Sequence, residues 1–125
     1  MTGAGRRRKG SGEALGRLRA LCLSLPGTTE TASWGHPNFR AAGTTYATFE
    51  IVRGRPSIAV RVAEGLQEAL TDDRLFFRTP YSANRGWVSV WVDGRFDWRL
   101  VRNLVRAAHR RAAGTTGRPG PPRAS

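Results

Sequence analysis

Several residue types that define whole classes of protein are scarce or missing in this sequence. Cys22 is the only cysteine among 125 residues, so no disulfide can form within the chain, and its leucine neighbours predict a buried free thiol. One cysteine and two distant histidines match no zinc motif, so we expect no metal and no cofactor. No stretch approaches the roughly 18 apolar residues of a membrane span, and the basic N-terminus lacks the apolar run of a secretory signal. These absences predict a cytoplasmic protein with no membrane association.

Lysine is also nearly absent, since Lys9 is the only one, whereas arginine is abundant. The chain holds 21 basic residues against nine acidic ones, which gives a formal net charge of +12. Such a charge attracts polyanions, including nucleic acids, although codon drift in a GC-rich genome also enriches arginine. Six of the basic residues lie near the two ends of the chain, and the central part keeps 15 basic residues against all nine acids.

The composition of both termini predicts disorder around one folded domain. Residues 1–12 consist largely of Gly, Ser and basic side chains, and residues 114–125 are dominated by Pro and Gly. Neither segment can bury enough apolar surface to offset the entropy lost on ordering. We therefore expect a disordered basic tail over 1–12, a folded domain over 13–113 and a disordered Pro/Gly-rich tail over 114–125.

Hydrophobic spacing in the central part predicts a mixed fold. Apolar residues recur every three or four positions over 13–24, which is typical of an amphipathic helix, and a Pro-Gly pair then ends it. Alternating patterns predict four strands joined by tight turns, a short helix over 63–70, two more strands and a long helix over 96–113. This order predicts an α+β fold, an antiparallel β-sheet flanked by N- and C-terminal helices.

Alternation along the strands assigns side chains to two faces of the sheet. It places Phe49 and Ile51 on one face and Tyr46 on the other. In the last strand three valines form one face, and Trp87 and Trp91 form the other. The pattern leaves open which of these two faces meets the helices. Outward positions are predicted for Ser57, Ala59 and Arg61.

Ten basic residues are candidates for contacts with nucleic acid, in three groups. One group is a stripe along the last helix, where spacings of three and four place like charges side by side; such a face is either well solvated or has an anionic partner. A second group flanks a glycine at a hairpin tip, which suits a wing that follows a phosphate backbone but is also an ordinary polar turn. The residues are Arg6, Arg7, Arg8 and Lys9 in the tail, Arg53 and Arg55 in the turn, and Arg99, Arg102, Arg106 and Arg110 in the stripe.

The densest cluster of distinctive side chains lies in 34–40, bracketed by glycine and proline, and it suits the wall of a small pocket. Its histidine has the chemistry of a general base, but no carboxylate or nucleophile accompanies it, and core packing is the alternative interpretation. The sequence also contains no phosphate-binding glycine loop and no recognisable triad context, so we expect no enzyme. The tryptophans offer either core packing or stacking faces for unpaired bases. The pocket residues are Trp34, His36, Phe39, Arg40 and Trp87.

Five runs of the sequence resemble the small MmcQ/YjbR family, namely Leu23–Glu30, Trp34–Arg40, Tyr46–Ala47, Phe77–Tyr81 and Gly86–Val90. The closing helix from Phe96 fits the pattern of the family as well. The resemblance covers about residues 13–113. It implies a compact α+β domain with a CyaY-like shape and a DNA-binding role through a double-wing arrangement, with no agreed enzymatic activity or cofactor. The candidate wings are the predicted hairpin turns at 42–44 and 53–56, of which the first carries no charge.

The frataxin-like shape implied by this resemblance raises iron binding as an alternative. Frataxins depend on an acidic ridge along the first helix and the adjoining strand, whereas here the first helix carries Arg17 and Arg19 with the single acid Glu13. We therefore expect no iron delivery. The leading hypothesis is a monomeric, non-enzymatic protein that binds DNA mainly through phosphates with weak sequence preference. The alternative is a small-ligand or protein-interaction module that uses the pocket around 34–40.

Overall fold

A six-stranded antiparallel sheet, with a long helix from each end of the chain, forms the fold in the computed structural model. The structure describes residues 3–33, 35–72, 74–80 and 86–116, without the side chains of 3–11, 115 and 116. The elements are α1 (Gly3–Ser24), β1 (Thr28–Ser33), β2 (His36–Ala41), β3 (Thr44–Val52), β4 (Arg55–Arg61), α2 (Leu66–Leu70), β5 (Phe76–Arg78), β6 (Trp87–Trp91) and α3 (Trp98–Thr116). The α+β fold with flanking helices is therefore confirmed.

The strands follow the order β1-β2-β3-β4-β6-β5. The first four form a meander of successive hairpins, because short turns allow only antiparallel neighbours. The chain then leaves the sheet through α2, and β6 returns beside β4, where Ser57 pairs with Trp91. This placement leaves β5 at the edge of the sheet, paired only with β6.

Two-residue turns close the hairpins on either side of β3. Ala42 and Gly43 have φ values of 51° and 82°, and Arg53 and Gly54 have values of 53° and 79°. Two successive positive φ angles define the type I′ turn, whose twist matches that of the flanking strands. The two turns lie at opposite ends of β3, about 30 Å apart for a nine-residue strand.

The valine face of the sheet packs against the helices, which answers the question that the alternation leaves open. Its buried side chains contact α1 and α3 in one continuous core, so Trp87 and Trp91 lie on the other, open face. The core includes Leu18 and Cys22 of α1, Phe39, Phe49, Ile58, Val60, Val88 and Val90 of the sheet, and Val101, Val105 and Ala108 of α3.

A bulge between β2 and β3 overturns the predicted position of Tyr46. Phe39 pairs with Ala47 but Arg40 pairs with Thr45, so Tyr46 is the extra residue and turns toward the helices. Its ring meets His109 edge-on at 5.4 Å, and its hydroxyl lies 2.7 Å from that of Thr28. Alternation alone contains no signal for an inserted residue.

Several side chains lie on their predicted face but differ from the expected burial. Ile51 shares the face of Phe49 and is nevertheless 50 % exposed. Ser57 and Ala59 lie on the open face, as predicted, opposite Trp91 and Ser89, but they are 0 % and 1 % exposed. Only Arg61 of that predicted set is exposed. Small side chains at the centre of a sheet are covered by their larger neighbours even without a helix above them.

Helix boundaries differ from the predicted ones at several points. α1 begins at Gly3, so the helix includes residues 3–12 of the predicted disordered tail. Five of these ten residues are alanine, arginine or lysine, which are good helix formers, and the other five are glycine and serine, which are not. α3 begins at Trp98, because the carboxylate of Asp97 caps it by accepting the amide protons of Arg99 and Leu100 at 3.0 and 3.3 Å. It ends at Thr116, within the predicted second tail, whose remaining residues 117–125 lie outside the described part of the chain.

Candidate nucleic-acid interface

The outer face of α3 carries the predicted arginine stripe. Arg99, Arg106 and Arg110 lie within a narrow arc of the helix and are exposed, with Asn103 between them. Arg102 lies at the edge of the arc and is half-buried; its Nε is buried and has no hydrogen-bond partner among the described residues. The structure therefore brings the four predicted residues together on one surface, about 16 Å long from first to last.

No acidic side chain lies on this helix, since residues 98–116 contain neither Asp nor Glu. The ion pairs among the described residues are Arg19–Glu30 at 2.8 Å and Arg55–Asp93 at 2.7 Å, and neither involves α3. The fifth arginine of the helix, Arg111, donates instead to the carbonyl of Arg61 at 2.8 Å, and burial lowers its pKa. Among the described residues, no carboxylate forms an ion pair with the arginines of the stripe.

The first helix adds a further cation beside the stripe. Arg17 of α1 is exposed, and its guanidinium lies over the ring of Trp98, 5.7 Å from the ring centroid. Trp98 immediately precedes Arg99, the first arginine of the stripe, in the sequence. Arg6, Arg7, Arg8 and Lys9 belong to the same helix, but their side chains lie outside the described residues. Their predicted role stays a prediction.

The two arginines of the β3–β4 turn differ from each other. Arg53 is exposed at the tip, with no hydrogen bond or ion pair among the described residues. Arg55 donates two hydrogen bonds to the carboxylate of Asp93, at 2.7 and 3.1 Å, and its guanidinium lies 3.9 Å from the centroid of Trp91. The hydrogen bonds from Arg55 lower the pKa of Asp93. Arg55 is thus held in place. The other candidate wing, the turn at 42–44, lies at the opposite end of β3.

The described members of the predicted pocket do not come together. Phe39 is fully buried on the helix side of the sheet, whereas Trp87 lies on the open face of β6, separated from β2 by β3 and β4. Arg40 turns back to its own hairpin, where it donates to the hydroxyl of Thr45 at 3.2 Å and to the carbonyl of Gly43 at 2.6 Å. His36 is half-buried at the start of β2, and Trp34 lies outside the described residues.

A different groove opens on the face of the sheet away from the helices. Phe77 stacks on Trp91 with 4.2 Å between ring centroids, and Arg55 covers Trp91 as well. Because β6 lies between β4 and β5, the guanidinium and the phenyl ring reach the indole from opposite sides. The groove is lined by Val52, Arg53, Arg55, Phe77, Arg78, Pro80 and Trp91.

Sequence reasoning missed this groove because its walls come from distant parts of the chain. The arginine turn and the indole were each recognised as candidates, but no local signal shows that β6 pairs with β4. Phe77 and Pro80 belong to one of the runs that carry the family resemblance, which is the one signal that pointed to this segment.

The described part of the chain holds no cluster of metal-ligating side chains and no helix that could span a membrane. Over that part of the chain, no three His, Cys, Asp or Glu side chains lie close enough together to hold a metal ion. None of the described helices is both long enough and apolar enough to span a lipid bilayer.

Comparisons with known proteins agree with this fold. The model of the YjbR family matches residues 23–111. Protein DR2400 of Deinococcus radiodurans, assigned to the family-model domain DUF419, is 21 % identical, with a TM-score of 0.67 over 76 % of this chain and 75 % of that one. A Pseudomonas syringae protein is 14 % identical, with a TM-score of 0.61 over 68 % and 86 % of the two chains. A Bacillus subtilis protein of the DUF1801 family is 15 % identical, with a TM-score of 0.50 over 75 % and 73 %. No curated protein matches the chain.

Proposed function

We propose that this chain, which belongs to the YjbR family, is a non-enzymatic protein that binds DNA at the outer face of α3. One observation carries the proposal: the exposed arginine stripe of α3 faces solvent with no carboxylate on its own helix to neutralise it. Like charges at neighbouring helical positions repel one another, and an anionic partner relieves that repulsion.

Duplex DNA has the charge spacing that this surface requires. Its phosphates supply about one negative charge per 1.7 Å of helix axis, so a stripe about 16 Å long faces several phosphates at once. Arginine forms forked hydrogen bonds to phosphate oxygens, and each phosphate that it neutralises releases condensed counterions. The affinity therefore comes mainly from charge and depends strongly on salt.

Sequence preference at this surface is weak. Phosphate contacts position a protein on DNA but carry no base information, and Asn103 is the one side chain amid the stripe with the amide chemistry that pairs with adenine. The proposed function is therefore DNA binding with little dependence on base sequence.

The test is the salt dependence of binding to a fluorescent 20-base-pair duplex, measured by anisotropy with the full chain. The double variant R106E/R110E should bind at least tenfold more weakly, and the slope of log K against log salt should fall by about two, near 0.9 for each lost phosphate contact. The matched control is R61E/R74E, which removes the same charge from exposed arginines outside α3.

Equal losses in the two double variants would contradict the proposal, because the attraction would then be that of any polycation. A third variant, R6Q/R7Q/R8Q/K9Q, separates the N-terminal residues from the stripe. If it alone abolishes binding while R106E/R110E binds like wild type, α3 is not the interface.

A further inference from the structure

The groove on the open face of the sheet differs from the α3 stripe in both chemistry and place. The stripe is a row of charges on the solvent side of a helix that covers one face of the sheet, whereas the groove lies on the other face. We propose that this groove binds a small planar organic anion, an aromatic ring that carries one carboxylate or phosphate group.

The apolar wall of the groove suits a flat ring. Val52, Phe77, Pro80 and Trp91 line it and are all half-buried, so each still presents apolar surface. The Phe77 and Trp91 rings are stacked on each other, with 24° between their planes, so a ligand ring packs against the part of this stack that stays exposed rather than between the two rings. Arg55 fixes the far side of the indole, so the wall is already ordered before a ligand arrives, which lowers the entropic cost of binding.

The charges of the groove suit one anionic group. Three arginine residues line it, and its lining contains no acidic residue. Asp93, outside the lining, pairs with Arg55. Arg78 donates to the neutral amide oxygen of Gln67 at 3.0 Å.

Arg53 is the cation best placed to receive the anion. It has no hydrogen bond or ion pair among the described residues, and the type I′ turn holds its backbone at the rim of the groove. Arginine pairs with a carboxylate or a phosphate through two parallel hydrogen bonds, so both kinds of anion fit.

The proposal is tested by titrating the ¹⁵N-labelled full chain and following the indole N–H signals by NMR. Trp91 reports on the groove, and Trp98, at the start of α3, reports on the opposite side of the sheet. The probes are adenosine 5′-monophosphate and indole-3-acetate, which combine a ring with an anion, together with adenosine and inorganic phosphate, which each supply one part alone.

Saturable movement of the Trp91 signal with either ring anion, at a dissociation constant of about 1 mM or lower, and with Trp98 unmoved, is the expected result. Adenosine and phosphate should bind at least tenfold more weakly. Binding of only one ring anion supports the proposal and shows whether carboxylate or phosphate is the preferred anion. No movement of Trp91 with either ring anion overturns it, as does phosphate binding as tightly as the better of the two.

The variant R53N tests the role assigned to the free cation. Asparagine tolerates the positive φ of this position, so the turn is preserved while the charge is lost. We expect the affinity for the better ring anion to fall about tenfold, equivalent to about 1.4 kcal/mol. The control R61N removes a charge at the other end of β4 and should bind like wild type. Equal affinity of R53N and R61N would overturn the role of Arg53.

Discussion

The two faces of the sheet are both largely buried at their centres, but they are formed by different kinds of side chain. The helix-covered face is aliphatic and aromatic, whereas the centre of the open face is built from small polar residues, with Ser57 and Ser89 both 0 % exposed. Around that centre lie the Arg55–Trp91–Phe77 stack and its groove. The covered face thus supplies most of the apolar burial that stabilises the fold, and the open face has a rim available to a ligand.

A substitution at Phe39 should have the largest effect, because it tests the covered face. Phe39 is 0 % exposed, and Phe39→Ala should lower the free energy of unfolding by about 3–5 kcal/mol through lost burial and a cavity. The control Ile51→Ala removes an apolar side chain that is 50 % exposed and should cost well under half as much. Urea denaturation measures both. Equal costs would show that burial under the helices does not set the stability.

The fold could be predicted from the sequence because its signals are local. Period-two and period-3.6 patterns depend on residues within one element, and they located the six strands and the three helices. The family was recognised separately, from the resemblance of short sequence runs. The bulge at Tyr46 could not be predicted, since an inserted residue shows only in the register with β2. The start of α1 was also missed, because composition underestimates a helix that continues from a packed segment.

The candidate sites show the same distinction between local signals and long-range pairing. The α3 stripe was found from spacing within a single helix, and the structure keeps its members together. The groove needs Arg55, Trp91 and Phe77 from three strands, and its geometry depends on a crossover that no local pattern shows. The described members of the predicted pocket are kept apart for the converse reason: residues close in sequence point to opposite faces of a strand.

Two buried hydroxyl groups test the polar centre of the open face. Thr79 and Ser89 share a hydrogen bond of 2.8 Å, so Ser89→Ala leaves Thr79 without that partner and should cost about 1–2 kcal/mol of unfolding free energy. Thr48 is also buried, but its hydroxyl has no hydrogen-bond partner among the described residues, so Thr48→Val should be neutral or slightly stabilising. Urea denaturation measures the free energy of unfolding of both variants. Equal losses of that free energy would mean that side-chain volume rather than hydrogen bonding determines the stability of this face.

Acid should weaken one ion pair on each side of the sheet. The resulting loss of unfolding free energy should be smaller than the losses predicted for the substitutions above. Hydrogen bonds from Arg19 and Arg55 lower the pKa values of Glu30 and Asp93 respectively. A carboxylate with a lowered folded-state pKa contributes stability above its unfolded-state pKa, near 4, and loses it as the pH falls through the folded-state value.

The midpoint of thermal unfolding should therefore fall between pH 5 and pH 3, over roughly the range where carboxylates titrate. Glu30→Gln and Asp93→Asn should each make this decrease of the unfolding midpoint smaller. An unchanged pH profile in Asp93→Asn would show that the Arg55 stack is held by Trp91 alone, without the carboxylate.

The smallest expected effect concerns the two type I′ turns, and it decides whether Arg53 belongs to the fold or to the rim of the groove. Both turns place a residue other than glycine at positive φ, Ala42 at 51° and Arg53 at 53°, where Asn before Gly is preferred. Ala42→Asn and Arg53→Asn should therefore each raise the free energy of unfolding by about 0.5 kcal/mol, measured by urea denaturation. A gain in Ala42→Asn alone would mean that the Arg53 side chain stabilises the folded state. Equal gains would mean that this side chain contributes nothing to folding and that its charge remains available to a ligand.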